Sequence, residues 1–227
     1  MRLTALVNAI REDLLSQEGV QIHTFSRRGA AVFAAGTPAT RIYFLESGIV
    51  KIEKGLGDNR DLLLTVVASG EIFGEQGMLG EGVFNVTARV LEPGAVYSIP
   101  TEAFLRFCER RPDVWVLLIR HFLLRKEEFE RKVEHLCDSD VRQRIVYYLE
   151  ELARLNPVQD PGGSVIHISQ NELASLVGAT RETTSTTLNT LSRQGLITLG
   201  HRLVMIPSID QLRDSVAPTR AKAAPQV

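Results

Sequence analysis

One segment, ISQNELASLVGATRETTSTTLNTLSRQG, restricts the fold more than any other part of the chain. Ser169 and Glu172 form an S-x-x-E capping box, which is typical of the start of a helix. The helix is expected to end at Gly178, because glycine readily adopts the left-handed backbone found just past a helix. Thr180 suits the N-cap of a second helix that stops at Gly195. Two helices joined by a short glycine turn predict a helix-turn-helix.

The residues LITLGHRLVMI follow this segment and predict a β-hairpin turning at Gly200-His201, which completes a winged helix-turn-helix. In such motifs the second helix presents its N-terminal residues to the major groove of DNA. Arg181 can donate two hydrogen bonds to guanine and Glu182 can accept one from cytosine, each pair giving about 1–3 kcal/mol of discrimination. The threonines, among them Thr184, suit contacts with phosphates or a thymine methyl. The alternative is a surface helix with an Arg–Glu ion pair.

The first half of the chain has a different pattern. From Val20 to Ile99, short β-rich runs such as RIYFL and GIVKIEK are separated by closely spaced glycines. This spacing predicts an antiparallel roll or barrel. The fold class is therefore α+β, with a jelly-roll-like β-roll followed by helices and a winged helix-turn-helix.

A long helix is predicted from Pro112 to Leu136, and its apolar side chains recur at intervals of three, four and seven residues. This spacing is close to that of a coiled-coil seam. We interpret it as a dimerisation seam, because the first half of the helix carries a second apolar face that can serve the roll; the alternative is a helix packed only on its own sheet. The seam residues are Trp115, Leu118, Phe122, Phe129, Val133 and Leu136.

The polar residues 138–140 suit a hinge after the long helix, since Asp and Ser compete with helical backbone bonding. The predicted organisation is a β-roll over residues 1–111, the dimer helix and hinge over 112–139, and a winged helix-turn-helix over 140–217. A disordered tail is expected over residues 218–227, which lack an apolar pattern.

Composition limits the classes of protein to which the chain can belong. The hydrophobic share of 44% and the charged share of 23% are ordinary for a soluble globular protein, and no apolar run suggests a membrane span or secretory signal, so a cytoplasmic location is expected. Neither the two cysteines, Cys108 and Cys137, nor the five histidines have metal-ligand spacing, so no metal or cofactor is expected. The net charge of −1 gives no global attraction to nucleic acid, which makes a dimer covering two half-sites more necessary.

Three groups of residues resemble the Crp/Fnr family of bacterial transcription regulators over nearly the whole chain. They are Gly36, Gly48, Gly70 and Gly74-Glu75 in the roll, Asp140-Val141 with Arg144-Ile145 after the hinge, and Gly178 with Arg181-Glu182-Thr183 in the second helix. The resemblance implies the family's fold, a homodimer, double-stranded promoter DNA as a partner and RNA polymerase as a further partner.

The resemblance also implies roles for residues in the DNA-binding segment. Arg181 and Glu182 correspond to the family's base readers, and Thr186 stands where many members have a second arginine. Ser169 and Gln170 match positions that contact backbone phosphate. Together with the residues of the helix start, the candidate DNA contacts are Ser169, Gln170, Thr180, Arg181, Glu182, Thr183, Ser185 and Thr186.

The effector site matches the family less well. Gly74-Glu75 correspond to the pair that holds the ribose of cyclic AMP, but Asn85 and Val86 stand where an arginine and a serine neutralise its phosphate. Arg89 is no substitute, because four residues of extended chain span about 13 Å. Phe129 and Glu130 occupy the helix positions that contact the adenine. Control by cyclic AMP is therefore not expected.

Two alternatives remain for the roll: a different ligand, or a pocket filled by its own side chains, with Phe84 and Phe129 as candidates. The second functional hypothesis is a small-molecule sensor or interaction module with a degenerate DNA-binding domain. No nucleophile with an adjacent base and no phosphate-binding loop supports an enzyme.

Overall fold

The computed structural model describes residues 11–57, 61–80, 82–155, 159–160 and 162–216. The predicted disordered tail lies outside these described residues. The chain divides into two compact units, residues 1–133 and 134–227, and the division falls inside the long helix. Among the described residues, no helix combines the length and apolar character that crossing a membrane requires.

The first unit begins with helical residues 11–15 (α1) and contains one six-stranded antiparallel sheet. Four of its strands run in the order β1-β6-β3-β4, while β2 pairs with β6 and β5 pairs with β3. The strands are β1 (Gln21–Phe25), β2 (Ala31–Phe33), β3 (Arg41–Gly55), β4 (Asp61–Ala68), β5 (Ile72–Phe73) and β6 (Thr87–Pro100). The predicted antiparallel roll is therefore confirmed.

Alternation along β3 builds two cores in this unit. Ile42 and Phe44 belong to a cluster that also contains residues of α2 (Thr101–Arg110) and α3 (Pro112–Asp138). Tyr43 and Leu45 point to the other face of the strand, into a cluster rich in aromatic rings. Burial raises the pKa of the Cys108 thiol, in the first cluster, to about 11, so this cysteine stays protonated and unreactive.

The face of α3 that packs on the roll includes part of the predicted dimer seam. Leu118 is only 3% exposed and lies in the first cluster, while Phe122 packs against that cluster. The prediction was wrong for Leu118, because spacings of three and four residues mark an apolar stripe without saying what covers it, whereas the half-buried Phe122 stays a predicted seam residue. The exposed apolar residues of the helix are Trp115, Val116, Ile119, Leu123, Phe129, Val133 and Leu136.

The second unit contains α4 to α7 and a four-stranded antiparallel sheet in the order β7-β8-β10-β9. Leucines and valines of three helices meet in its core, among them Leu149, Leu173 and Leu188. Its elements are α4 (Val141–Leu155), β7 (Gln159–Asp160), β8 (Gly163–Ile166), α5 (Gln170–Val177), α6 (Arg181–Arg193), β9 (Thr198–Gly200), β10 (Leu203–Ile206) and α7 (Ile209–Asp214).

The helical conformation is interrupted where the hinge is predicted, and α4 has a defined cap. Helix α3 ends at Asp138 and α4 begins at Val141. The Asp140 carboxylate accepts from the Gln143 backbone N–H at 2.8 Å, and the Gln143 side chain accepts from the Asp140 N–H at 2.9 Å. This reciprocal pair satisfies two backbone donors at the start of α4. Arg144, on the first turn, donates to the carbonyl oxygens of Ser139 and Val177.

Candidate DNA interface and effector pocket

The start of α5 is fixed by the predicted capping box. The Ser169 hydroxyl accepts from the Glu172 backbone N–H at 3.2 Å, and the Glu172 carboxylate accepts from the Ser169 N–H at 2.9 Å. At the other end of the helix, Gly178 has a φ of 64°. A β-carbon added there would lie 2.7 Å from Leu136 Cδ2, the end of a flexible side chain, so it is the left-handed backbone that favours glycine. These contacts set the turn between α5 and α6.

Helix α6 presents its first residues to solvent. The Thr180 side chain accepts from the Thr183 backbone N–H, which caps the helix directly before Arg181. Arg181 and Glu182 are exposed, while Leu188 and Leu191 are buried on the opposite side. The N-terminal end of α6 is therefore free to approach another molecule, and its inner face is held by the core.

The candidate DNA contacts differ in their accessibility. Thr180, Thr183 and Thr186 are exposed, whereas Ser169, Gln170 and Ser185 are half-buried. The interpretation of the threonines as DNA contacts was wrong for Thr184, which is fully buried because it lies on the helix face that carries Leu188.

The tip of the wing contributes an arginine that the sequence analysis did not place at the interface. Arg202 follows β9 in the hairpin turn and has a φ of 55°, an uncommon backbone conformation for a residue other than glycine. Its Nη2 lies 3.8 Å from Glu172 Oε2. Arg202 therefore offsets the negative charge beside Ser169. A basic residue immediately after Gly200-His201 was the signal available in the sequence.

The glycine-rich loop and helix α3 form a cavity of about 170 Å³ in the roll. Gly74, Glu75, Asn85 and Val86 line it, so the structure brings together four of the six predicted effector residues. The other lining residues are Phe33, Ile52, Leu64, Thr65, Phe73, Gln76 and Arg125. We call this cavity the effector pocket.

Phe129 and Glu130 do not enter the effector pocket within the chain. Phe129 is 56% exposed, and Glu130 forms an exposed ion pair with Lys126 one helical turn away. Their predicted place in the pocket was wrong for a single chain, because this face of α3 points away from the roll. Phe129 therefore does not fill the pocket of its own chain.

Aromatic side chains fill the space beside the effector pocket. Phe84 is 2% exposed, and its ring centroid lies 3.9 Å from that of Phe33. Tyr43 and Phe73 belong to the same group, with ring centroids 5.4 Å apart. Phe84 is therefore part of the core beside the effector pocket and does not line the pocket itself, so its role as a plug stays a prediction.

Arg125 is the pocket residue that the sequence analysis missed. It is the only cation among the described lining residues, and Glu75 is the only carboxylate. Its Nη2 lies 3.9 Å from Glu71 Oε2 and makes no hydrogen bond with the described residues. Arg89, in contrast, donates to Glu53 Oε1 at 2.6 Å and is not among the lining residues. Spacing from Leu118 and Phe122 was the available signal, because Arg125 continues their stripe.

Two family models match the sequence. Residues 24–111 match the cyclic nucleotide-binding domain, and residues 143–215 match the Crp-like helix-turn-helix domain. The CRP-like cAMP-activated global transcriptional regulator of Mycobacterium tuberculosis (strain CDC 1551 / Oshkosh) is 32% identical over 187 residues. The aligned region covers 82% of this chain and 84% of that regulator. The cAMP-activated global transcriptional regulator CRP of Pasteurella multocida (strain Pm70) is 27% identical over 91% of this chain and 98% of its own length.

Solved structures show the same arrangement of elements. The c-di-GMP responsive global regulator CLP of Xanthomonas campestris superposes with a TM-score of 0.75 at 27% identity, over 88% of this chain and 99% of that one. FixK2 from Bradyrhizobium japonicum has a TM-score of 0.73 at 20% identity, over 90% of this chain and 99% of that one. The second similarity concerns the fold alone.

Proposed function

Since the chain belongs to the Crp/Fnr family of transcription regulators, we propose that it binds palindromic promoter sequences as a homodimer. The observation that carries this proposal is the exposed N-terminal end of α6, where Arg181 and Glu182 follow the Thr180 cap. Because Leu188 and Leu191 anchor the helix from its other side, these two side chains project outward and are suited to reading base edges in the major groove.

The exposed stripe of α3, defined as Val116, Ile119, Leu123 and Val133, supports the homodimer. These side chains are between 44% and 67% exposed. They recur in steps of three, four and ten residues, and the ion pair between Lys126 and Glu130 fills the gap. A second copy of α3 packed along this stripe would cover the apolar surface and join two recognition helices in one molecule, as a palindrome of two half-sites requires.

Charge balance in the second unit makes two half-sites necessary. Between residues 169 and 215, four arginines accompany four carboxylates. Phosphate attraction by one subunit is therefore weak, and a homodimer doubles the number of contacts. RNA polymerase is the proposed partner of the promoter-bound homodimer. Run-off transcription from a selected site is expected to change when the protein is added, and an unchanged yield would contradict this partnership.

Selection from random-sequence DNA tests the proposed function. The wild-type protein is expected to enrich a palindrome. Arg181→Ala is expected to weaken binding to this palindrome by about 1–3 kcal/mol per half-site and to reduce the preference for guanine at one position. Arg193→Ala is the matched control, because it removes the same charge from the exposed C-terminal end of α6. Recovery of no palindrome would favour the sensor module with a degenerate DNA-binding domain. Equal effects of the two variants would contradict the recognition role of Arg181.

We further propose that cyclic AMP does not control this protein. The effector pocket measures about 170 Å³, whereas pockets for small organic ligands measure about 300–1,000 Å³. Asn85 and Val86 provide no cation for a phosphate, and Arg125 shares the pocket wall with Glu75. Two of the relatives described above are named as cAMP-activated, but here the positive charge of Arg125 is already offset by the Glu71 carboxylate 3.9 Å away, so a buried phosphate would be poorly compensated.

Thermal unfolding tests this second proposal. Cyclic AMP is expected to leave the melting temperature and the DNA affinity of the protein unchanged, because a ligand stabilises only a fold to which it binds. The Mycobacterium tuberculosis relative, named as cAMP-activated, serves as a positive control. A saturable rise of several degrees in this protein would contradict the proposal.

A further inference from the structure

The roll has a second concavity that is lined by different residues from the effector pocket. It measures about 360 Å³ and crosses three neighbouring strands, β1, β6 and β3. The pairing of Gln21 with Ser98 and of Ser98 with Tyr43 places these three residues side by side. We call this concavity the three-strand cleft. Its volume lies within the range of about 300–1,000 Å³ that is typical of small-molecule sites.

Neutral polar groups lie along the three-strand cleft. Ser98 is only 1% exposed, and its hydroxyl lies 2.8 Å from Nε2 of His23. Tyr43 is 8% exposed, and burial raises the pKa of its hydroxyl, although the nearby Arg41 acts in the opposite direction. The Tyr43 hydroxyl is therefore protonated at neutral pH and able to donate a hydrogen bond.

Arg41 is the only formally charged side chain among the described residues that line the cleft. Its Nη2 donates to the carbonyl oxygens of Gly19 at 2.7 Å and Ser98 at 2.9 Å. None of the described carboxylates forms an ion pair with Arg41, and its buried Nε has no hydrogen-bond acceptor among the described residues. The cleft thus holds one positive charge with which no carboxylate in the described part of the chain forms an ion pair.

Apolar side chains from β1 and β2 complete the wall. Phe25, Ala31 and Val32 line the cleft beside the polar groups. A single cation and several neutral donors suit one carboxylate, whereas a phosphate dianion requires more positive charge. The apolar wall suits a short hydrocarbon or aromatic body attached to that carboxylate.

From these contacts we propose that the three-strand cleft binds a small organic carboxylate, with Arg41 as its cationic partner and Phe25, Ala31 and Val32 against its apolar body. The cleft and the effector pocket share an aromatic boundary, because Tyr43 of the cleft lies 5.1 Å, between ring centroids, from Phe33 of the pocket. They differ in charge, since Glu75 accompanies Arg125 in the pocket and no described carboxylate lines the cleft. The proposal does not depend on DNA binding.

Ligand-observed NMR with benzoate as the probe tests this proposal on the full-length protein. Benzoate is expected to bind saturably, and benzamide, its neutral isostere, is expected to bind at least about tenfold more weakly because it lacks the charge. Arg41→Gln should weaken benzoate binding by at least about tenfold for the same reason. Arg125→Gln is the matched control in the effector pocket and should change the affinity by less than about twofold, because it leaves Arg41 in place.

A second variant keeps the test decisive if Arg41→Gln disturbs the backbone that Arg41 holds. Ala31→Asp places a carboxylate on the exposed wall of the cleft and leaves both Arg41 hydrogen bonds in place. It is expected to weaken benzoate binding by about tenfold through like-charge repulsion and competition for Arg41. Thr24→Asp, on the opposite face of β1 from His23, should have little effect. Absence of saturable benzoate binding to the wild type, equal binding of benzamide, or an equal loss in Arg125→Gln would overturn the proposal.

Discussion

The helix-turn-helix and the β-roll satisfy their polar groups over different distances along the chain. In the helix-turn-helix, Ser169 bonds Glu172 and Thr180 bonds Thr183, each three residues away. In the roll, Arg89 bonds Glu53 over 36 residues and Lys132 bonds the Leu63 carbonyl over 69 residues. Short segments therefore set the orientation of the recognition helix. The pocket depends on how strands and α3 pack, so substitutions distant in sequence can change it.

Removing an aromatic ring from the roll should have the largest effect on stability. It should destabilise the roll and leave the helix-turn-helix unchanged. Phe84→Ala is expected to lower the free energy of unfolding of the roll by about 3–5 kcal/mol, because a large buried ring leaves a cavity. Chemical denaturation measures this loss. Hydrogen exchange should increase in peptides from residues 31–100 and remain unchanged in residues 162–216, which form part of the other compact unit.

The control for this variant is Leu79→Ala, at the end of the short 3-10 helix Glu75–Leu79. Leu79 is 87% exposed, so its truncation should change the free energy of unfolding by no more than about 0.5 kcal/mol. An equal loss of hydrogen-exchange protection in both units after Phe84→Ala would show that the stability of the helix-turn-helix depends on packing in the roll.

The same difference in sequence distance explains which features the sequence could predict. The capping box at Ser169, the left-handed Gly178 and the wing turn were predictable because each depends on residues within a few positions. The antiparallel roll was also predictable from its alternation and glycine spacing.

Features that depend on contacts between distant elements were not predictable. The stripe containing Leu118 and Phe122 has the spacing of a dimer seam, and only the packed sheet shows that the roll covers it. The spacing of Arg125 places it on the same stripe, but nothing near it in sequence indicates that strand β4 and the glycine-rich loop lie beside it. Thr184 was misassigned because composition alone does not tell which face of a helix is buried.

Lys132 should have an intermediate effect on the free energy of unfolding, and this effect depends on packing between elements that are distant in sequence. It is 6% exposed, and burial lowers the pKa of its ammonium group to about 8. The unfolded chain, with a lysine pKa of about 10.4, binds more protons above pH 8, so the free energy of unfolding should rise by about 2 kcal/mol between pH 8 and 10. Denaturation at several pH values measures this rise.

Replacement of Lys132 isolates its share of the pH dependence. Lys132→Met should lack the rise, because no ammonium group remains to lose its proton on folding. Lys126→Met, on the exposed face of the same helix, should retain it. If the free energy of unfolding of Lys132→Met rose by the same amount between about pH 8 and 10, another group would be its cause, and the predicted role of buried Lys132 would be wrong.

The smallest expected effect tests the local side of the comparison, because two serine N-caps in the second unit, one of them part of a capping box, differ in their predicted relation to DNA. Ser169→Ala and Ser208→Ala each remove an N-cap side chain, from α5 and α7, and each should lower the free energy of unfolding by about 1 kcal/mol. Only Ser169 is a predicted phosphate contact. Ser169→Ala should therefore also weaken DNA binding by about fivefold, equally for all sequences, through loss of one hydrogen bond per subunit. Chemical denaturation measures the change in the free energy of unfolding. Fluorescence anisotropy with matched and mismatched DNA sites measures the change in affinity and shows whether it is the same for both sites. An equal loss of DNA affinity in Ser208→Ala would show that the stability of the cap, and not a phosphate contact, links Ser169 to DNA binding.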